Sequence, residues 1–301
     1  MIDLDSDVRR TAETTQLRFL VAESEPPEAR DKRRESVGRS SGETFLKRLG
    51  DLAQGADCTR IKPADADSEV PNAGDLEGYD AVFLTGSPLH LYEDTPETRR
   101  QVSFMRAVFR SGTPSFGSCA GLQVAVTAAG GTVRPMGERR EAGFARRIYR
   151  QSAGQGHPLL DGRPAVFDAP AIHTDEVGQL PDGGTLLASN AVTHVQAAEI
   201  RHDGGVFWGV QYHPEISLRE VAAALRRQAD DLIEHGLARE DTDVTAHAAL
   251  VDALHEDPSR CDLAWRLGLD DQVADEHQRM TELRNFIRHL VLPTRSRRGR
   301  G

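Results

Sequence analysis

Cysteine, positive charge and long apolar runs are scarce in this chain, and each scarcity excludes a class of protein. The 301 residues include three cysteines, Cys58, Cys119 and Cys261, and none of them forms a CxxC pair. A small, odd number of cysteines argues against a disulfide framework and suits a reducing compartment. No apolar run approaches the roughly 18 residues of a membrane-spanning helix, and the acidic start MIDLDSDVRR does not resemble a signal peptide. We therefore expect a soluble, cytoplasmic protein with no membrane contact.

The balance of charge and the missing motifs exclude further partners and cofactors. There are 37 basic against 47 acidic residues, giving a net charge of −10 at pH 7. General binding to nucleic acid needs clustered positive charge, so we expect none. The chain has no GxxxxGK[ST] loop and no histidine–acid cluster with the spacing of metal ligands. The sequence thus predicts neither a metal nor a cofactor.

Short apolar runs alternate with helix signals through the first half of the chain. Three β-strands are predicted near 17–23, 58–62 and 80–86, and three helices near 41–54, 95–110 and 120–129. Such alternation predicts a mostly parallel sheet covered by helices on both faces. From 132 to 210, strand-like pieces separated by turns are expected to extend the sheet with antiparallel strands.

Four segments follow from this pattern. Residues 1–16 form a polar lead-in, and 17–238 form an α/β domain. Residues 239–292 form a helical extension whose leucine-rich faces pack on the core or form a homodimer surface. Residues 293–301 are basic and are expected to be disordered.

The stretch PSFGSCAGLQ places Cys119 on a tight turn between a predicted strand and a predicted helix. Its pattern, Gly117-Ser-Cys-Ala-Gly121, is that of a nucleophile elbow, where small residues let strand and helix pass close together. The helix that begins at Ala120 directs its positive end at the sulfur, and the Ala120 amide is free to stabilise an oxyanion. The alternative for this pattern alone is a buried structural cysteine beside a glycine turn.

A thiol nucleophile also needs a base and a group that orients the base. The apolar segment GVFWGVQYHPE ends in His213-Pro214-Glu215. Proline holds the backbone between the two side chains, so Glu215 can accept from one imidazole nitrogen while the other nitrogen faces the thiol. Taken alone, this end of a strand is more typical of a surface ion pair; paired with the elbow, it indicates a catalytic site.

Together, FGSCAGLQ and GVQYHPE resemble the class I glutamine amidotransferases with a Cys-His-Glu triad. The resemblance covers roughly Leu17 to His235, and within the family the chain looks most like stand-alone GMP synthase-like proteins. It implies a flavodoxin-like open mixed sheet with helices on both faces. It also implies that Cys119 attacks the side-chain amide of glutamine to form a γ-glutamyl thioester, while His213 moves the proton and Glu215 orients His213.

Further site residues follow from the same resemblance. LTGSP at 84–88 matches the family's oxyanion turn, although Ser87 stands where many relatives have a second glycine. AIHTDEV at 171–177 matches the segment that holds the glutamine α-amino and α-carboxylate groups, although many relatives have glycine in place of Thr174. The implied oxyanion donors are Gly86, Ser87 and Ala120. The implied substrate contacts are Gln123, His173, Thr174 and Asp175.

Three functions remain open from the sequence. The first is a glutaminase that delivers ammonia to a separate synthetase, and the second is a stand-alone hydrolase of a γ-glutamyl amine or peptide. The third is a non-catalytic glutamine-binding module, which the intact triad disfavours. The arginine-rich segment Arg30–Arg39 is either a solvated loop or a contact for an anionic acceptor or a partner protein.

Overall fold

The computed structural model describes residues 16–300, so the predicted lead-in at 1–16 lies almost wholly outside the described residues. Within them, no helix is long and apolar enough to cross a membrane. The strands are β1 Arg18–Ala22, β2 Asp57–Ile61, β3 Ala81–Leu84, β4 Ser115–Ser118, β5 Thr132–Pro135, β6 Glu141–Arg150, β7 Val166–His173, β8 Asp175–Gln179, β9 Gly184–Ser189, β10 Ala197–His202 and β11 Gly205–Val210.

Most of these strands form one mixed sheet. Its order is β2-β1-β3-β4-β11-β10-β9-β6-β7, and β5 pairs with β8 in a separate ribbon. The first five strands in this order are parallel, from β2 to β11. The other four pair antiparallel, as expected for the middle of the chain. The carboxyl ends of the parallel strands therefore meet along one edge, where ligands of open α/β sheets bind.

Helices flank the sheet, and several begin at strong sequence signals. Ser40, Thr95 and Ser217 each form a capping box with the residue three positions later, which satisfies backbone amides of the first turn. The helices are α1 Pro27–Val37, α2 Ser41–Leu52, α3 Ala73–Leu76, α4 Pro96–Ser111, α5 Ala120–Ala128, α6 Leu218–Arg227, α7 Ala229–Glu234, α8 Asp241–Glu256, α9 Cys261–Leu267, α10 Asp271–Ala274, α11 Glu276–Arg279, α12 Thr281–Phe286 and α13 Leu292–Arg297.

The two faces of the sheet bury separate apolar layers. One layer joins the sheet to α4 and α5. The opposite layer joins it to α2 and to residues of α12 and the π-helical turn that follows, Ile287–Val291. A third cluster packs α6 and α7 against α8, α9 and α10. The expected α/β architecture is present, and part of the C-terminal helical segment lies on the sheet itself.

Residues 30–37 of the arginine-rich segment lie in a helix, α1, and not in the loop that the sequence left open, although much of this helix is exposed. Proline at its first position suits a helix start. Ion pairs with distant residues hold it: Arg30 with Asp65 at 2.6 Å and Arg34 with Glu43 at 2.7 Å. These two arginines are therefore structural, because their guanidinium groups already have carboxylate partners.

The basic tail differs from the disordered segment that its composition suggested. Residues 292–297 form α13, and the buried Arg295 side chain pairs with the buried Asp80 at 3.1 Å. Arg298 donates to the backbone carbonyl of Ser111 at 3.1 Å. The tail is ordered because its arginines satisfy acceptors at the edge of the core, which composition alone does not reveal.

Candidate active site

Cys119 lies on the turn between β4 and α5 in a strained backbone conformation. Its φ is +53° and its ψ is −114°, a region that residues with a side chain rarely adopt. Its amide donates to the carbonyl of Val210 at 2.8 Å, which ties the turn to the end of β11. This is the geometry of a nucleophile elbow, with the sulfur at the positive end of a helix.

The two glycines of the elbow are required by close contacts between backbones. A Cβ on Gly121 would lie 2.6 Å from the carbonyl oxygen of Leu84. A Cβ on Gly117 would lie 2.7 Å from the carbonyl carbon of Gly121. Real Cβ atoms do not approach this closely, so the sequence pattern has a direct steric cause.

His213 and Glu215 follow β11 and face Cys119. The Nδ1 atom of His213 donates to Oε1 of Glu215 at 2.7 Å, and the imidazole lines the cleft together with the Cys119 side chain. With Nδ1 engaged, Nε2 is the nitrogen that faces the sulfur. The buried Glu215 carboxylate also accepts from the Ser118 hydroxyl at 2.9 Å. The structure thus brings together the three residues of the predicted triad.

Charge around the imidazole holds it in the protonated form. Burial lowers the pKa of His213, but the negative charges of Glu215 and Cys119 raise it more strongly, to about 10. At neutral pH the site therefore presents an imidazolium beside the sulfur, positioned to give a proton to a departing nitrogen.

We expect kcat/KM for amide hydrolysis to fall as pH rises through about 10, because His213 then loses the proton that a leaving group requires. The raised pKa also stabilises the fold: this contribution is complete below the ordinary value of 6.5 and is lost as pH rises through about 10. A pH–rate profile checks the first expectation. In Glu215→Gln, which removes one negative charge, the alkaline limb should move to lower pH. A wild-type limb centred on the ordinary value of 6.5 would contradict the assignment.

The predicted oxyanion residues border the same thiol. A Cβ on Gly86 would lie 2.8 Å from Cε1 of His213 and 3.7 Å from Cβ of Cys119, so this glycine lies beside both side chains and leaves them room. Ser87 lines the cleft above the thiol, and its hydroxyl accepts from the Leu89 amide at 3.2 Å. The amide of Ala120 lies in the first turn of α5, where helices leave amides without internal partners.

Three of the four predicted substrate contacts form one buried network. Gln123 donates through Nε2 to the backbone carbonyl of Asp175 at 3.2 Å. The imidazole of His173 contacts the same carbonyl at 3.0 Å and the carboxylate of Glu141 at 2.8 Å. Thr174 is exposed between them. Its backbone carbonyl accepts from the Met136 amide at 2.9 Å.

Several supporting residues had no signal in the sequence. His90 contacts the Asp175 carboxylate at 2.6 Å, and Arg48 donates to the backbone carbonyl of Glu215 at 2.9 Å. Glu141 gathers donors from Asn190 and Gln196 in addition to His173. They come from remote segments with no shared spacing, so only the fold reveals them.

A cleft of about 530 Å³ opens from the thiol toward α1 and α6. No group of three or more histidine, cysteine or acidic side chains in residues 16–300 is arranged to hold a metal ion. The cleft is lined by residues of the active site, of α1 with the residues before it, and of α6 with the residues around it: Glu25, Pro26, Glu28, Ala29, Lys32, Arg33, Ser41, Gly86, Ser87, Pro88, Cys119, Ile172, His213, Glu215, Ile216, Glu220, Ala224, Arg227 and Gln228.

The sequence profile described as glutamine amidotransferase class-I matches residues 42–230, which include the elbow and the His-Pro-Glu segment. The chain belongs to the class I glutamine amidotransferase family. The predicted family and the predicted flavodoxin-like α/β fold are thereby confirmed.

The relatives of this chain are named for different activities. A Pseudomonas protein named gamma-glutamyl-L-1-hydroxyisopropylamide hydrolase is 39% identical over 229 residues, covering 74% of this chain and 76% of that protein. The glutamine-hydrolysing GMP synthase of Leifsonia xyli is 33% identical over 144 residues, covering 48% of this chain but only 27% of the synthase. A crystal structure of a glutamine amidotransferase from Thermotoga maritima superposes with a TM-score of 0.61 at 16% identity, covering 92% of this chain and 99% of that one.

Proposed function

We propose that the chain is a thiol-dependent hydrolase that cleaves the side-chain amide of a γ-glutamyl substrate through an acyl-enzyme on Cys119. The observation that carries this proposal is the His213 imidazole, which donates to Glu215 at 2.7 Å and lies beside Cys119 in the cleft. This arrangement supplies a nucleophile and a proton donor at one point, as covalent amide hydrolysis requires.

In the first step, the Cys119 sulfur attacks the γ-carbonyl carbon and forms a C–S bond. The C–N bond breaks, and the departing nitrogen takes the proton from Nε2 of His213. The amides of Ala120 and of Gly86 or Ser87 stabilise the oxygen that becomes negative. The product is a γ-glutamyl thioester together with free ammonia or a free amine.

In the second step, the now neutral imidazole removes a proton from water, and the resulting hydroxide attacks the thioester. The C–S bond breaks, glutamate leaves, and His213 regains its proton beside the sulfur. Glu215 holds the imidazole through Nδ1 in both steps. In this scheme Gln123, His173, Thr174 and Asp175 hold the glutamyl end.

The size of the cleft favours a leaving group larger than ammonia, and the named activity of the Pseudomonas relative supports the same reading. Release of ammonia to a separate synthetase is the second candidate. The match to part of a GMP synthase favours it, because that synthase hydrolyses glutamine.

The proposal also covers the domain bounds and the cellular compartment of the protein. Residues 17–238 form the amidotransferase domain, and residues 239–292 form its helical extension. We place the enzyme in the cytoplasm, since the three cysteines are free in the structure. Partner proteins and a homodimer remain expectations from the sequence.

Quantifying glutamate and amine release from L-glutamine and from a panel of γ-glutamyl amines tests the function. We expect release from at least one substrate, in equal amounts of glutamate and amine. Faster turnover of γ-glutamyl amines than of glutamine supports the stand-alone hydrolase, and the reverse supports ammonia delivery. Glutamine binding without any release would overturn the proposal in favour of a binding module.

A further inference from the structure

The cleft extends well beyond the space that ammonia needs. Its volume is about 530 Å³, whereas a molecule the size of water occupies about 30 Å³ in the liquid. The wall away from the thiol is formed by α1 and α6, two helices that come together across the cleft. The group that leaves the γ-glutamyl carbon therefore has a defined chamber with protein on both sides.

Two arginines, one from each helix, lie on this wall. Arg33 donates through Nη2 to Glu220 at 2.9 Å, while its Nε atom is buried without a hydrogen-bond partner. Glu220 also accepts from the hydroxyls of Thr44 and Ser217. Because the carboxylate is shared among several donors, Arg33 keeps donor capacity for a further anion.

Arg227 has no carboxylate partner of its own among residues 16–300. Its Nη1 atom donates to the Ser36 hydroxyl at 2.5 Å. The Arg227 residue is exposed at the cleft wall. Partial desolvation and the positive charge of Arg33 lower its pKa, although Glu25 and Glu220 partly offset this. The Glu25 carboxylate accepts from the Ser41 amide at 3.0 Å. Two guanidinium groups thus line the same wall of the cleft, one from each helix, where a single anion can contact both.

The other charged side chains of α1 at this wall do not provide an anionic partner for Arg33 and Arg227. Glu28 and Lys32 are both exposed on α1, one turn apart. They carry opposite charges and contribute no net charge to the chamber. Counting Glu25 and Glu220, the wall carries three carboxylates and three cations. Arg227 has no carboxylate at ion-pair distance among residues 16–300 and the Nε atom of Arg33 has no partner, so a planar carboxylate fits the free donors of these two side chains.

We propose that Arg33 and Arg227 bind a carboxylate carried by the leaving amine, so that the preferred substrates are γ-glutamyl conjugates of amino acids. This inference rests on the proposed γ-glutamyl hydrolysis. It orients the substrate with its glutamyl end toward residues 173–175, its scissile bond between Cys119 and His213, and its second carboxylate at α1 and α6. The products are glutamate and a free amino acid.

The test compares conjugates that differ only in charge. γ-Glutamyl conjugates of glycine, β-alanine and 4-aminobutyrate are assayed beside their uncharged carboxamides, which have the same size. We expect wild type to favour at least one acid over its amide by about 10- to 100-fold in kcat/KM, the range of a charge-assisted hydrogen bond. In Arg227→Gln this acid-over-amide ratio should collapse toward one.

Arg226→Gln is the matched control, because Arg226 neighbours Arg227 but pairs with Asp252 at 2.7 Å and does not line the cleft. It should keep the wild-type ratio. Equal rates on acids and amides in wild type would overturn the inference while leaving γ-glutamyl hydrolysis intact. Hydrolysis of glutamine but of no conjugate would also overturn the inference, and if neither glutamine nor any conjugate is hydrolysed the proposed function fails. Calorimetry of the acids and amides with Cys119→Ala then tests carboxylate binding by the two arginines without any turnover. Equal affinity for acids and amides would count against the inference.

Discussion

Replacing Cys119 with alanine should lower kcat for γ-glutamyl hydrolysis by about 10⁴-fold or more. The variant has no atom that can form the thioester, and water alone must then attack a poorly reactive amide. The fold should persist, because alanine removes one atom from a side chain that is already small. Most of the lost rate is therefore chemical and not a consequence of unfolding.

Single-turnover and steady-state release of glutamate, measured beside circular dichroism, checks this expectation. Cys261→Ala is the matched control, since Cys261 is a free, exposed cysteine at the start of α9. It should retain wild-type rates. Comparable losses in the two variants would remove Cys119 from the mechanism.

Replacing Arg163 with methionine should lower the free energy of unfolding by about 3–5 kcal/mol. Arg163 and Glu282 form an ion pair at 2.7 Å whose side chains are 1% and 0% exposed. Glu282 also accepts from the hydroxyl of Tyr212, whose pKa is raised by burial and by the nearby carboxylate, so that the hydroxyl stays protonated. Removing the arginine leaves a buried negative charge without its cation.

Urea unfolding of Arg163→Met measures this loss. Lys47→Met provides the comparison, because the Lys47–Asp51 pair is about half exposed at 44% and 45% and should contribute only about 0–1 kcal/mol. The double variant Arg163→Met with Glu282→Leu should recover part of the loss, since it removes the stranded charge as well. A loss in Arg163→Met no larger than that in Lys47→Met would contradict the expected role of the buried pair.

The elements that were predictable have local causes. Ser40 with Glu43, and Thr95 followed by Pro96, mark helix starts through bonds made within one turn. The strands around Phe19 and Phe83 are short apolar runs that are fully buried. Such signals need no knowledge of the rest of the chain, and for this reason they could be interpreted from residues alone.

The elements that were missed have distant causes. Helix α1 has almost no apolar face and is held by carboxylates far along the chain, such as Asp65 and Glu220. The ordered tail likewise depends on Asp80. In the active site, the triad could be predicted because each motif carries its own geometry, whereas the support from Arg48 and His90 arises only when remote segments meet.

The position of the C-terminal helices determines when the core of the sheet becomes covered during synthesis. Phe286 packs against Phe83 and Phe116, with ring centroids 5.3 and 5.5 Å apart. Ribosomes synthesise the sheet strands well before this phenylalanine, so part of one apolar face of the nascent sheet stays open to water until α12 has been made. During this interval, chaperones that bind exposed apolar surface can bind this face of the sheet. A chain that stopped after α7 would carry every triad residue and still lack the cover for its own core.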